Sequence, residues 1–317
     1  MSLLAIQRSL DVVSLGEALI EFNQTHPQPP TYLQGFGGDT SNAIVAAARA
    51  GARCAYLTLL GDDRWADALT RLWLEEGVAL DGVRRIRGQR TGLYFVHHDD
   101  QGHHFSYARA GSAASRMSPS DLKGGWLNLI AQSHWFHVSG ISMAISETAR
   151  ATVFEAMRQA RIAGTQVAFD TNLRLNLWPL DLARASFQRA LPCCDLLLPS
   201  LEDMMQITGL KDPEAILDWC HDHGAVHVVL KMGAQGALIS QGEVRNWIPA
   251  MQVRALDATG AGDCFCGNLL ARLVLGDSLA QATRWANTAA ALSVQGIGAI
   301  APLPHAEQVS ALIGSST

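Results

Sequence analysis

The sequence predicts an α/β fold in which a mainly parallel sheet is covered by helices on both faces. Three observations lead there. Short β-rich runs alternate with helix-period segments along most of the chain. The 317 residues are 48% apolar, enough for a sizeable core in one large domain spanning 1–317. No apolar run reaches the ~18 residues that a membrane-crossing helix needs, and no internal repeat, low-complexity tract or long linker divides the chain.

Val12–Leu15 reads as the first strand, and Gly16-Glu17 follows it. Ile20–Phe36 holds Pro27, Pro29 and Pro30 and is too irregular for a helix. The glycine-rich stretch Gly35-Phe36-Gly37-Gly38-Asp39-Thr40-Ser41-Asn42 then leads into a helix over Ala43–Gly51. Taken alone, its Gly37-Gly38 suits an ordinary turn before a helix capped by Thr40 or Ser41. Cys54–Leu59 reads as a strand and Asp63–Glu76 as a helix. Leu93–His97 and His104–Ala108 alternate as two strands around a turn at Asp99-Asp100-Gln101-Gly102. Segments 20–36 and 90–111 therefore predict a small sheet projecting from the main layer. Beyond it, strands are expected at His134–Val138, Gln166–Asp170, Asp195–Leu198 and Val226–Lys231. The helices between them are expected at Glu147–Ala163, Leu182–Leu191 and Pro213–His221. From Asp263 to Gly296 the chain reads as almost wholly helical.

The formal net charge of −5 argues against nucleic acid or an anionic membrane as partner, while leaving room for an anionic small substrate held by a few arginines. The six cysteines include Cys193-Cys194 and Cys264-x-Cys266 but no zinc-type C-x-x-C pair, so reduced thiols are expected. The opening residues lack the pattern of a secretory signal, which predicts a cytoplasmic protein. His97, His98, His103 and His104 flank the hairpin turn. Alternation sends neighbours to opposite faces, so solvated strand residues are expected there rather than a metal site.

The most informative stretch is Asp257-Ala258-Thr259-Gly260-Ala261-Gly262-Asp263, because the apolar run from Phe265 to Leu275 follows it without a proline. A helix starting there would leave its first N–H groups without internal partners and carry partial positive charge. Gly260 and Gly262 let the backbone turn tightly around an anion such as phosphate. An aspartate aimed into such a cradle would repel phosphate, so Asp263 makes sense as the group that orients or receives a proton in phosphoryl transfer. A capping acid after a glycine-rich turn is the plain alternative. No G-x-x-x-x-G-K-[ST] or early G-x-G-x-x-G sequence is present, which argues against a P-loop NTPase and an NAD-dependent dehydrogenase.

The pairing of Gly35–Asn42 with Asp257–Asp263, in that order, resembles the ribokinase-like (PfkB-type) carbohydrate kinases. The likeness extends from about Val12 to Pro302. It takes in Gly16-Glu17, Arg90–Tyr94, Tyr107–Ala113, Val138–Ile141, Asp170–Arg174 and Lys231–Ala234, and is nearest to the 2-keto-3-deoxygluconate kinase branch. It implies a three-layer α/β/α fold with a mainly parallel central sheet and a small β-sheet lid. It also implies transfer of the ATP γ-phosphoryl group to the terminal hydroxyl of a sugar acid. The alternatives are a kinase of fructose, ribose or a nucleoside, and a non-catalytic sugar- or nucleotide-binding regulator. A lid suits a kinase because closure keeps water from taking the phosphoryl group.

By this resemblance, Gly38, Asp39, Thr40, Ser41, Asn42, Tyr94, Tyr107, Arg109 and Ile141 hold the sugar. Arg109 is the candidate fork for its carboxylate. Asp263 is the base, Arg174 contacts the transferring phosphoryl group, and the Gly260, Ala261 and Gly262 amides spread its charge. Asn172, Ser200, Lys231, Gly233, Ala234, Gly236, Thr259 and Asn287 are expected on the nucleotide side. Arg174 could also be a surface arginine paired with Asp170 or Asp181, and the two tyrosines could be ordinary strand aromatics. ATP and Mg²⁺ are the expected cofactors, a monovalent cation is a further candidate, and a homodimer through the lid is the expected assembly. The helix start is expected to lower the Asp263 pKa. Three departures from the family pattern stand out: Met232 in place of arginine, Ser106 and Ala108 flanking Tyr107, and Ser200-Leu201-Glu202-Asp203 at the magnesium-side motif. Asp203 there could act on Mg²⁺ through water.

Overall fold

β1 (Leu10–Leu15) is buried on both sides, and its side chains divide between two apolar clusters, with Val12 in one and Val13 and Leu15 in the other. Such a strand belongs inside a sheet with helices on each face. The computed structural model, which describes residues 8–99 and 102–314, has that arrangement. β1 pairs in parallel with β4 (Cys54–Gly61) and β8 (Ser133–Ser139). β4 continues to β5 (Val83–Ile86), and β8 to β9 (Gln166–Asp170), β10 (Leu196–Leu197) and β11 (His227–Lys231), all in parallel. An antiparallel edge, β12 (Ala237–Gln241) and β13 (Val244–Ile248), completes a sheet ordered β13-β12-β11-β10-β9-β8-β1-β4-β5.

Helices α1 (Asp39–Arg49), α2 (Arg64–Glu75), α9 (Ala261–Val274), α10 (Leu279–Ser293) and α11 (Ala306–Gly314) cover one face through Ile44, Trp73, Phe265, Ala286 and Val309. The other face is covered by α3 (Trp126–Ala131), α4 (Gly140–Ala144), α5 (Glu147–Ile162), α6 (Leu180–Ala190), α7 (Leu201–Thr208) and α8 (Pro213–Asp222). α5 shows why these segments are helical. Ser146 accepts from the Ala149 amide at 3.0 Å to cap its start, and Ala149, Val153, Ala156, Met157 and Ala160 form one buried stripe.

The lid is a second sheet, ordered β3-β2-β6-β7, built from β2 (Leu19–Pro27), β3 (Pro30–Gly37), β6 (Gly92–Asp99) and β7 (Gly102–Ala108). Two antiparallel hairpins meet there along a parallel β2–β6 seam. Asp63 caps α2 through the Ala66 amide at 2.9 Å and also accepts from the Thr91 amide at 2.7 Å, tying the entry of β6 to the body.

Ile20–Phe36 joins the lid sheet as expected, as the β2–β3 hairpin, with a register shift between Gln24 and His26 and its prolines at the strand ends, where ladder donors are not required. Two expectations need correction. β12 and β13 have no counterpart in the expectations, since β13 exposes Val244 and Trp247 and lacks a clean apolar alternation. The stretch after Asp263 breaks into α9 and α10 at Gly276-Asp277-Ser278, where Ser278 caps the second helix. Asp100 and Gln101 of the hairpin turn lie outside the described residues.

Candidate active site

Beyond the carboxyl ends of the parallel strands, where open α/β sheets bind ligands, two cavities meet at the start of α9. Gly260 begins the helix in the left-handed region (φ 75), where a Cβ would also crowd the Ala299 carbonyl at 3.0 Å. Asp257 fixes the turn, one oxygen accepting from the Thr259 amide and the other from the Gly298 amide, each at 2.9 Å. Thr259, Gly260 and Asp263 line the first cavity, while Ala261 and Gly262 line the second, one residue round the helix.

The first cavity, about 600 Å³, is polar. Asp263 is buried at its edge and accepts from Asn42 Nδ2 at 2.8 Å. Asn172, held in the left-handed region (φ 32), reaches Asp263 Oδ1 at 3.5 Å and Asp39 Oδ2 at 3.4 Å with the same nitrogen. Asp39 Oδ1 is shielded from solvent and has no hydrogen-bond partner. Burial raises the Asp263 pKa well above the ordinary carboxylate range, and the Asp39 charge adds to this against the Asn42 bond. The expectation that the helix start would lower it is therefore reversed: loss of water around the carboxylate outweighs the helix dipole. Asp39 is raised too, again chiefly by burial.

Gly38, Ile141, Tyr94, Tyr107, Arg109 and Arg174 line the same cavity. Tyr94 stacks on Tyr107 with ring centroids 5.9 Å apart, and its hydroxyl donates to the buried Glu21. Arg109 is bound by the buried Glu17, donating from Nε at 2.8 Å. Arg174 is exposed and donates to the Leu173 carbonyl at 2.8 Å. The two partners considered for it are engaged elsewhere, Asp170 by Lys231 and Asp181 by Arg184.

The second cavity, about 270 Å³, is mainly apolar. Lys231, Gly233, Ala234, Gly236 and Asn287 line it together with Ala261 and Gly262. Gly236 (φ 102) is required there, since a Cβ would lie 2.1 Å from the Ile248 carbonyl. Asn287 donates to that carbonyl at 2.9 Å, closing the wall. Lys231 Nζ donates to Asp170 at 2.9 Å beside Cys266 Sγ. Burial alone would lower its pKa, but the Asp170 carboxylate offsets this and holds it above the ordinary lysine range. This cavity suits a flat heteroaromatic ring, with the helix start at its mouth able to meet phosphates.

Four expected contacts fall away from the cavities. Thr40 is buried with its hydroxyl 3.0 Å from the Tyr56 hydroxyl, and Ser41 accepts from Trp73 Nε1 at 3.1 Å, because α1 turns both inward. Ser200 serves as the cap of α7 by accepting from the Asp203 amide at 3.1 Å. Asp203 accepts from Thr171 Oγ1 and the Leu173 amide, each at 3.0 Å, so its carboxylate holds the loop that presents Asn172 and Arg174. Asn172 and Thr259, both expected on the nucleotide side, line the polar cavity instead. Among the described residues no group of three His, Cys, Asp or Glu is placed to hold a metal ion. His97 bonds Ser106 at 2.9 Å and His98 bonds Asn23 at 2.7 Å, as strand side chains do; the side chain of His103 lies outside the described residues.

Glu17, Glu21 and Asp170 were missed as site residues. Each is a buried acid at or beyond the end of an apolar strand or on a lid strand, and an acid in such a run is the signal that points to it.

Residues 9–306 match the profile described as "pfkB family carbohydrate kinase". A 2-dehydro-3-deoxygluconokinase of Dickeya dadantii is 32% identical over 304 residues, covering 92% of this chain and 97% of its own. A fructokinase-2 of Solanum habrochaites is 30% identical over 318 residues, covering 95% of each chain. Among solved structures, a fructokinase with bound ATP from Xylella fastidiosa superposes with a TM-score of 0.88 at 27% identity, covering 96% of this chain and 98% of that one.

Proposed function

The chain belongs to the pfkB family of carbohydrate kinases, with its ribokinase-like fold, and on that premise we propose that it phosphorylates the terminal hydroxyl of 2-keto-3-deoxygluconate or a similar sugar acid. The single observation that carries this is the shared start of α9, whose Asp263 borders the polar cavity while Ala261 and Gly262 border the apolar one. A sugar hydroxyl and a nucleotide phosphate entering from the two sides would meet at that turn.

In the proposed step the sugar hydroxyl oxygen attacks phosphorus, and the bond from phosphorus to the β–γ bridging oxygen breaks. ADP departs with that electron pair, and the hydroxyl proton passes to Asp263. A raised pKa makes the ionised Asp263 a stronger base than an ordinary carboxylate. The N–H groups at Gly260–Gly262 and the Arg174 guanidinium offset charge on the transferring group. Tyr94, Asn42 and Asp39, which line the polar cavity, orient the sugar. Among the described residues no group of three His, Cys, Asp or Glu is placed to cage Mg²⁺, and Asp203 is engaged by the 171–173 loop. Mg²⁺ characteristically binds through substrate phosphates and water, so it would be held by the nucleotide and would offset the charge of its phosphates.

Arg109, the arginine of the sugar cavity not assigned to the phosphoryl group, favours a carboxylate-bearing substrate. Engagement of Arg109 by Glu17 is the observation that favours a neutral sugar such as fructose instead. ADP release measured over a panel of 2-keto-3-deoxygluconate, other sugar acids, fructose, ribose and nucleosides decides between them. A preference for neutral sugars by kcat/KM refutes the sugar-acid assignment, and no release with any of them refutes the kinase mechanism.

The homodimer remains part of this proposal. β3 and β7 are the outer strands of the lid sheet, and Leu33 is exposed on β3. A monomer by light scattering would remove it. No helix among the described residues is long and apolar enough to cross a membrane.

A further inference from the structure

Glu17 lies two residues beyond β1 and is buried, yet no step of the transfer uses it. Its surroundings are unusual. Its backbone carbonyl occupies the space where a Cβ on Gly38 would sit, at 2.3 Å, and its Oε1 lies 2.8 Å from the corresponding position on Gly92. Gly38 follows β3, Gly92 opens β6, Arg109 follows β7, and Glu17 itself precedes β2. All four crossings between lid and body therefore converge on this one residue. A buried carboxylate is costly unless paired. Here Oε2 accepts from Nε of Arg109 and pairs with its Nη2, while Oε1 accepts from the Ser112 hydroxyl.

We propose that Glu17 is a positioning residue that orients the Arg109 guanidinium over the sugar cavity and sets sugar affinity through it. The inference deepens the kinase assignment and rests on it. Both contacts with Glu17 use the Nε and Nη2 side of the fork, leaving the Nη1 end as the part that a ligand meets. A long arginine side chain held before the ligand arrives loses less rotamer freedom on binding. The pairing also cancels the arginine's charge. Recognition by Arg109 then depends on where its N–H groups point more than on long-range attraction, and a misdirected fork forfeits most of its contribution.

The test is a double-mutant cycle between Glu17 and Arg109, read on KM and on Kd by calorimetry for the sugar that the unmodified enzyme uses best. Glu17→Gln keeps the size of the side chain and removes the charge-assisted bonds. It is expected to raise sugar KM and Kd about tenfold, with kcat within about threefold and KM for ATP within about twofold. In the Arg109→Ala background the same change should move sugar affinity less than about twofold, because the residue it acts through is gone. A role in folding alone would lower Tm and act equally in both backgrounds. Additive effects, or unchanged sugar affinity in Glu17→Gln, overturn the proposal. Ser112→Ala, which removes the other bond on the Glu17 carboxylate, carries the same cycle if Glu17→Gln does not fold. Failure of the kinase assignment is a separate result: no ADP release by the unmodified enzyme, with the Kd cycle, then run on the panel sugar that it binds most tightly, still reporting on Glu17.

Discussion

Asp39→Asn isolates what sets the basicity of Asp263. One Asn172 nitrogen lies 3.4 Å from an Asp39 oxygen and 3.5 Å from an Asp263 oxygen, so those two oxygens are at most about 7 Å apart. At an effective dielectric of about 20, two unit charges at that separation repel by roughly 2 kcal/mol. The amide replaces the acid with almost no change of shape, so this repulsion is the main term removed. Asp263 accepts a proton only when ionised, and its pKa is raised by burial and then by Asp39. Turnover should therefore rise through an acidic limb lying above the ordinary carboxylate range and level off once Asp263 is ionised. Asp39→Asn should move that limb toward acid by about one to two pH units, roughly 1.4 kcal/mol corresponding to each. The assay is kcat at saturating sugar and ATP across pH 4–8, with ADP quantified after quenching so that no coupling enzyme limits the range. A limb that stays in place, or moves toward neutral pH, refutes the claim that the Asp39 charge tunes the base. A rise in sugar KM is expected as well, because a carboxylate lining the sugar cavity becomes an amide, and does not bear on the limb.

Three further perturbations probe the other parts of the site. Asp263→Asn should lower kcat by at least about a hundredfold while ATP still binds by calorimetry; turnover near that of the unmodified enzyme would refute the assignment of the base. Lys231→Met leaves Asp170 buried without its cation. Breaking a buried pair of this kind costs about 3–5 kcal/mol, so the midpoint of denaturant unfolding should fall clearly, and an unchanged midpoint would show that the pair at 2.9 Å does not stabilise the fold. Gly236→Ala puts a methyl group against the Ile248 carbonyl and should raise KM for ATP several-fold with little change in KM for the sugar. Equal changes in both would mean that this wall is not specific to the nucleotide.

Local sequence was enough for whatever depends on residue order alone. Apolar runs such as Val12–Leu15 and Gln166–Asp170, capped helices such as the one after Ser146, and the glycines before Asp263 specify their own conformation within a few residues. The two hairpins of the lid were half legible. Leu93–Ala108 alternates as two strands, whereas the prolines of Ile20–Phe36 excluded a helix without giving the register of the β2–β3 ladder, which shifts between Gln24 and His26.

Tertiary structure decided the charges and partners. Only packing shows that α1 turns Thr40 and Ser41 inward but brings Asn42 to Asp263, and that burial raises an acid which the helix start alone would have lowered. Only the meeting of lid and body gives Arg109 to Glu17, residues separated by 92 positions in the chain. The reason is physical. Backbone conformation follows from neighbours along the chain, whereas desolvation and Coulomb terms depend on what is near in space, and that distance exists only once the sheet has assembled.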